Sequence, residues 1–205
     1  MQDEKAAAKE GSKGALCFII CVQVLWIVVL VDAKDALMDE FSKLAIAAYF
    51  ASMVAFNGAM HYTWGSDPGF VPLDSAEEPE PFLRHCGECT VTQPLRAKHC
   101  SKCGRCVRRY DHHCFWVGTC VGVRNHARFL LVLFTASVYL GLSVPAVWRS
   151  LPTVVAPGIM DLLIVIVSYT LLVISVGMFV FAGCLFVFHV YLVGTAQTTE
   201  RRYHT

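Results

Sequence analysis

Four stretches of this chain run long enough without charge to cross hydrocarbon: about Ala15 to Val31, Leu44 to Trp64, Phe129 to Trp148, and Leu162 to Val193. A bilayer core requires roughly 20 apolar residues per helix, so the pattern predicts four membrane helices. The first run is short and is expected to reach the interface at its ends. The last is longer than needed and is expected to tilt or to emerge near His189. Tyr62 and Trp64 close the second run and Trp148 closes the third, where amphipathic rings settle at headgroup level. Between the second and third runs the pattern breaks. Gly65 to Arg84 holds Asp67-Pro68-Gly69, three further prolines and four further acidic residues from Asp74 to Glu80, which reads as a turn followed by an extended linker. The end of the chain from Gly194 to Thr205 is short and polar, and no internal repeat or low-complexity tract is read.

Composition agrees with a bilayer setting: 56% of the 205 residues are hydrophobic and only 16% are charged, with a mean hydropathy of +0.52. A net charge of +1 gives no global field that argues for nucleic acid. Lys5, Lys9 and Lys13 precede the first apolar run, as in a secretory signal. That run is longer than an ordinary signal core, no A-x-A site follows it and three more apolar runs come later, so it is read as a retained helix. Fourteen Lys and Arg lie in the N-terminal tail, the Gly65 to Arg128 region and the C-terminal tail, against Lys34, Lys43 and Arg149 in the other two loops. The asymmetry places both termini and the central insert in the cytosol; which membrane is left open.

Seven of the ten cysteines and three histidines fall between Cys86 and Cys120. Clustering at metal-ligand spacing, unlike the dispersed spacing of a disulfide framework, points to a reducing compartment. Cys86-x2-Cys89 is one knuckle, and Cys100-x2-Cys103-x2-Cys106 offers two overlapping ones preceded by His99. A C-x2-C turn sets two thiolates at the bite of a tetrahedral zinc ion. Two closed sites use eight donors, six cysteines and two histidines, and Cys103 cannot serve both overlapping pairs, so the ligands must interleave. One cysteine and one histidine remain beside an aspartate in Asp111-His112-His113-Cys114. The alternatives weighed are buried packing cysteines, an iron–sulfur cluster, disfavoured by the histidine share, and a DNA-binding finger, disfavoured by flanking membrane helices and missing H-x3–5-H spacing.

The run Cys86-x2-Cys89-x9-His99-Cys100-x2-Cys103-x2-Cys106-x4-Asp111-His112-His113-Cys114-x-Trp116-x3-Cys120-x-Gly122-x2-Asn125-x3-Phe129 resembles the cysteine-rich domain of the DHHC protein S-acyltransferases. Asp67-Pro68-Gly69 resembles that family's DPG element, and four spans with an insert between the second and third resemble its layout. The resemblance implies an all-α membrane protein: residues 1–64 carry the tail and two helices, 65–128 the linker and zinc domain, and 129–205 two more helices and a short tail. It implies two structural zinc ions, one on Cys86, Cys89, His99 and Cys106, the other on Cys100, Cys103, His113 and Cys120. Phe115 stands where the family usually has proline and Thr119 where asparagine is common, both read as loop positions. Thr198-Thr199-Glu200 approximates the family's TTxE element without its spacer, with Thr199 placed to bond Asp111 and Asn125 as structural support.

A free thiol is only a few per cent thiolate at neutral pH and needs a positioned base. His112 is the candidate base, Asp111 the group that orients it, and Cys114 the nucleophile toward a fatty acyl-CoA, with transfer to a membrane-proximal cysteine of a protein substrate. A helix rising about 1.5 Å per residue from near His126 sets Tyr139 about 20 Å deep, which makes it a candidate floor for a C16 chain; a packing tyrosine is the competing reading. Trp116 and Phe129 are candidate lining near the thioester, and Lys98 and Arg124 candidate partners of CoA phosphates, with interfacial anchoring and headgroup contact as alternatives. Gln23, Asn57, His61 and His189 are read as bonding between helices, and Cys17, Cys21 and Cys184 as packing. The rival function is a membrane-anchored zinc adaptor, which has no use for a free Cys114 beside Asp111-His112. A channel is disfavoured because the spans lack rows of ionisable residues.

Overall fold

The computed structural model describes residues 17, 19–21, 23–24, 27, 42–73, 84–151 and 158–199. The described residues between 17 and 27 are all helical, and the remainder of the first predicted run lies outside the described residues, as do 74–83 of the linker and Glu200. Three helices follow in the described chain: α1, Lys43–Thr63, α2, His126–Ser150, and α3, Ile159–Gly194. Among the described residues, these three are long and apolar enough to cross a membrane. α2 starts before its apolar run because the carbonyls of Gly122 and Asn125 accept the N–H groups of His126 and Phe129 at 3.0 and 2.9 Å. Polar residues thereby form its first turn.

Between α1 and α2, among the described residues, lie six strands of three residues each, paired as three antiparallel hairpins. β1 (Arg84–Cys86) pairs β2 (Val91–Gln93), β3 (Lys98–Cys100) pairs β4 (Arg105–Val107), and β5 (His112–Cys114) pairs β6 (Thr119–Val121). Each four-residue loop ends on a left-handed residue: Thr90 (φ 53), Gly104 (φ 63) and Gly118 (φ 66). Glycine takes that conformation without a Cβ clash; Thr90 takes it with its hydroxyl donating 2.7 Å to the carbonyl of Cys89.

The hairpins repeat every fourteen residues. Cys86, Cys100 and Cys114 end the first strands, and Cys89, Cys103 and Val117 hold the third loop place. His85, His99 and His113 sit opposite Thr92, Cys106 and Cys120 across the ladder. This corrects the reading of the sequence as free of internal repeats. The period is hard to see because the recurring residues are few and two of the three sets of cysteines are broken once, by Val117 and by Thr92. Thr119 is also corrected: it is the first residue of β6, buried and paired with Cys114, and not a loop residue.

By contacts the chain divides into two units. One comprises the described residues within Met60–Leu131 and Phe188–Thr205. Three-residue strands cannot bury a conventional core, so its cores are built on sulfur: Cys86, Cys89 and Cys106 with Val71 and Val91, and Cys100 and Cys120 with Val107. The segment after Asp67-Pro68-Gly69 lies along β4, with Phe70 bridging Val107 and the Val71 N–H donating to the Cys106 carbonyl at 2.9 Å. The other unit comprises Cys17–Ala59 and Val132–Val187, where Val147 packs on Leu171 and Tyr139 lies against Tyr49 and Phe56.

Candidate active site

Successive side chains of a strand point to opposite faces. In β3 this sends His99 and Cys100 to different neighbours, and in β5 it separates His113 from His112 and Cys114. The donors gather accordingly. Cys86 and Cys89 from the first hairpin meet the cross-strand pair His99 and Cys106 of the second; Cys100 and Cys103 of the second meet the cross-strand pair His113 and Cys120 of the third. The second hairpin lends its loop knuckle to one group and its ladder pair to the other, while the first lends only a knuckle and the third only a ladder pair.

The distances suit an ion. His99 Nδ1 is 3.2 Å from Cys89 Sγ and 3.6 Å from Cys86 Sγ. His113 Nδ1 is 3.6, 3.3 and 3.6 Å from the sulfurs of Cys100, Cys103 and Cys120, and the last two sulfurs are 3.4 Å apart. A tetrahedral zinc with Zn–S of about 2.3 Å holds its donors about 3.4 to 3.8 Å apart. Charge points the same way. Hydrogen bonding among Cys100, Cys103 and Cys120 drives the Cys100 thiol far down and the Cys120 thiol far up, and burial pushes Cys106 up to about 12. Such neighbours cannot all ionise unless a cation offsets their repulsion. Both groups can hold zinc. Gln93 Nε2 donates to Cys106 Sγ at 3.3 Å, a further support for a thiolate.

Cys114 belongs to neither group. It ends its strand as Cys86 and Cys100 do, but its knuckle partner is the fully buried Val117. On the same face of β5, two residues back, lies His112. His112 Nδ1 donates to Asp111 Oδ2 at 2.8 Å. Asp111 is 3% exposed and also accepts the Thr199 N–H at 2.7 Å and the Thr199 hydroxyl at 2.9 Å. Burial alone would raise its carboxyl, but the bonds from His112 and Thr199 outweigh it and hold the group at about 2. Burial likewise works against an imidazolium at His112, and is overcome by hydrogen bonds to Asp111 and Cys114, which carry it to about 9. The Cys114 thiol is lowered against the effect of burial by the hydrogen bond and charge of His112 and by the backbone N–H groups of Val117 and Trp116. The Asp111 carboxylate, the His112 imidazole and the Cys114 thiol are thus linked in series by hydrogen bonds that favour the charged form of each. Asp111, His112 and His189 also converge, but the two oxygens of Asp111 already accept three hydrogen bonds, so this group is a hydrogen-bonded one.

A family model described as DHHC palmitoyltransferase matches residues 80–205. The chain belongs to that family. A comparison with curated proteins gave no match. The DHHC quartet is Asp111 to Cys114, and the residues around it support it. Asn125, fully buried, accepts the Gly122 N–H at 2.9 Å and donates to the Cys120 carbonyl at 2.8 Å and to Ser66 Oγ at 3.3 Å. Phe129 is buried with its ring 5.4 Å from that of His112. Trp116 is half-buried, edge-on to the exposed Phe115.

Arg124 is ion-paired with Asp67 of the DPG turn, whose carboxylate also caps the N–H groups of Gly69 and Phe70. Lys98 lies 5.7 Å above the Tyr110 ring. Tyr139 is in the other unit, stacked on Phe56. Two contributors escaped the sequence reading. Arg96 Nη1 donates to the Ala196 carbonyl at 3.0 Å and ties down the turn that carries Thr199. His189, read only as bonding between helices, is paired with His126 at 3.3 Å and lies 5.9 Å from the His112 ring.

Proposed function

We propose that this chain is a protein S-acyltransferase that carries a fatty acyl group, palmitoyl by family, on Cys114. The observation that carries the reading is a thiol left out of both metal groups and hydrogen-bonded to an aspartate-held histidine. The Cys114 thiolate attacks the thioester carbonyl of a fatty acyl-CoA, forming an S–acyl bond as the bond to the CoA sulfur breaks. The His112 imidazolium gives its proton to the departing CoA thiolate. Neutral His112 then takes the proton of a substrate cysteine thiol, whose sulfur attacks the acyl-enzyme and returns Cys114 as thiolate. Protons and charges close over the two steps, which is ping-pong acyl transfer. Asp111 keeps Nδ1 as the donor nitrogen, so that Nε2 faces sulfur throughout.

Two zinc ions, on the two four-donor groups, would clamp the hairpins to one another and take no part in the acyl chemistry. Four membrane helices, with residues 65–128 as a cytosolic insert and both termini in the cytosol, would set Cys114 at the lipid boundary, where an acyl-CoA keeps its head in water and its tail in hydrocarbon. Tyr139 on α2 would then lie at the depth of a C16 tail, and Trp116 and Phe129 near the thioester. The protein substrates would carry cysteines close to the membrane.

The test is labelled palmitoyl-CoA with purified protein. Wild type takes up a label that neutral hydroxylamine releases, and Cys114→Ser takes up none. A wild type without label, or a labelled Cys114→Ser, overturns the reading.

A further inference from the structure

Apart from the thiol site, the unit that holds it has a cavity of about 360 Å³ with Asp111 in its wall. Its wall is part apolar and part polar. Leu130, Val193, Ala127 and Val123 supply an apolar part, and Arg109 and Gln197 a polar one. It is bounded by the first turns of α2 and the last residue but one of α3, two helices long and apolar enough to cross a membrane. Where such helices end, hydrocarbon gives way to headgroups. Arg109 is exposed, is held in a left-handed turn (φ 46) and has no ion-pair partner among the described residues. An unpaired guanidinium beside an apolar slot at the membrane boundary matches an amphiphile with an anionic head.

We infer that this cavity binds an anionic phospholipid, its phosphate on Arg109 and its upper acyl chain along Leu130 and Val193, and that the bound lipid favours the docked tail. The link to activity is spatial. Asp111 and Thr198 are themselves part of the wall, and Thr199, the next residue, donates two of the three hydrogen bonds that Asp111 accepts. A lipid resting on Thr198 disfavours withdrawal of the tail and keeps His112 oriented. This regulatory half rests on the proposed acyltransferase reading; the binding half does not.

The experiment therefore reads binding and loading separately. Purified full-length protein in detergent is titrated with phosphatidic acid or phosphatidylcholine and observed by native mass spectrometry. Wild type is expected to retain one phosphatidic acid and no phosphatidylcholine. Arg109→Gln should weaken retention about fivefold, the effect of removing one basic residue from an anionic surface, and Ala127→Leu, which fills the slot, should also weaken it, both with wild-type zinc content and melting temperature. Equal retention by wild type and both variants overturns the proposal. In vesicles, wild type should load acyl groups faster as phosphatidic acid replaces phosphatidylcholine, and Arg109→Gln should not respond, while matching wild type in pure phosphatidylcholine. If Arg109→Gln instead raises the KM for acyl-CoA in pure phosphatidylcholine with lipid retention unchanged, the arginine serves CoA phosphate and the lipid proposal falls. If wild type fails to load at all, the acyltransferase reading fails, and the mass spectra still decide the cavity.

Discussion

Thr199 donates both its backbone N–H and its hydroxyl to the carboxylate of Asp111, across 88 residues of chain. The segment that follows α3 is thus part of the hydrogen-bonded array that contains Cys114. A hydrogen bond to a charged group contributes about 1.5 to 3 kcal/mol, so Thr199→Val, which keeps the N–H and the shape but loses the hydroxyl, should slow acyl loading by about tenfold or more. Thr199→Ser, which keeps the hydroxyl, should load near the wild-type rate. Single-turnover loading with labelled acyl-CoA measures both. Equal rates for Thr199→Val and wild type would show that Asp111 is held without the tail hydroxyl.

Cys114 and Val117 stand where the first two hairpins carry Cys-x2-Cys knuckles. Val117→Cys restores the knuckle. With His112 two residues before Cys114, the variant should bind additional zinc through Cys114, His112 and the introduced thiol, and lose loading while that zinc is present. A mild chelator that leaves the two closed groups filled should restore activity. Metal analysis beside the loading assay checks this, and a variant with unchanged zinc content and full activity in added zinc would show that the repeat does not extend to the third knuckle.

Removal of a ligand and removal of the nucleophile should separate cleanly. Cys103→Ser takes a sulfur from the second donor group and leaves crowded thiols without their cation, so zinc content should fall and the melting temperature drop, with loading lost as a consequence. Cys114→Ser should abolish loading at wild-type zinc content. Atomic emission and thermal melting distinguish them, and loss of zinc from Cys114→Ser would place Cys114 among the ligands.

Legibility in the sequence followed the type of signal. Apolar runs marked the three helices to within a turn, because length and lack of charge are one-dimensional properties; the helix start read near His126 is where α2 begins, three residues before its apolar run, with the carbonyls of Gly122 and Asn125 bonding its first turn. Donor identity was also visible, since cysteine and histidine counts do not depend on fold. Which donor meets which was not legible from spacing, because it depends on strand alternation and on hairpin-to-hairpin packing. Arg96 was missed for the same reason, and so was the place of His189 beside His112, although its reading as a bond between helices holds in its contact with His126. Their partners, Ala196 and His112, lie 100 and 77 positions away, and nothing local distinguishes Arg96 from the other basic residues of the insert.

Gly122 is where this long-range packing is most sensitive to one atom. A Cβ there would meet the Pro68 carbonyl oxygen at 2.5 Å, Val107 Cγ1 at 2.7 Å and the Arg108 carbonyl oxygen at 3.1 Å. Two of the three are backbone atoms and cannot rotate away. They belong to the DPG turn and to the residue that follows the strand supplying Cys106, while Gly122 itself donates to Asn125 and accepts from His126. Gly122→Ala should therefore cost about 1 to 3 kcal/mol, the range for overpacking a filled site, and should loosen Asn125 from the Cys120 carbonyl. The expected result is a lower melting temperature together with faster loss of zinc to a chelator. Gly87→Ala, at a position with no atom within 4 Å of the added carbon, is the control and should behave as wild type. If Gly122→Ala melts and releases metal like that control, the DPG turn does not pack against this loop as closely as the distances require.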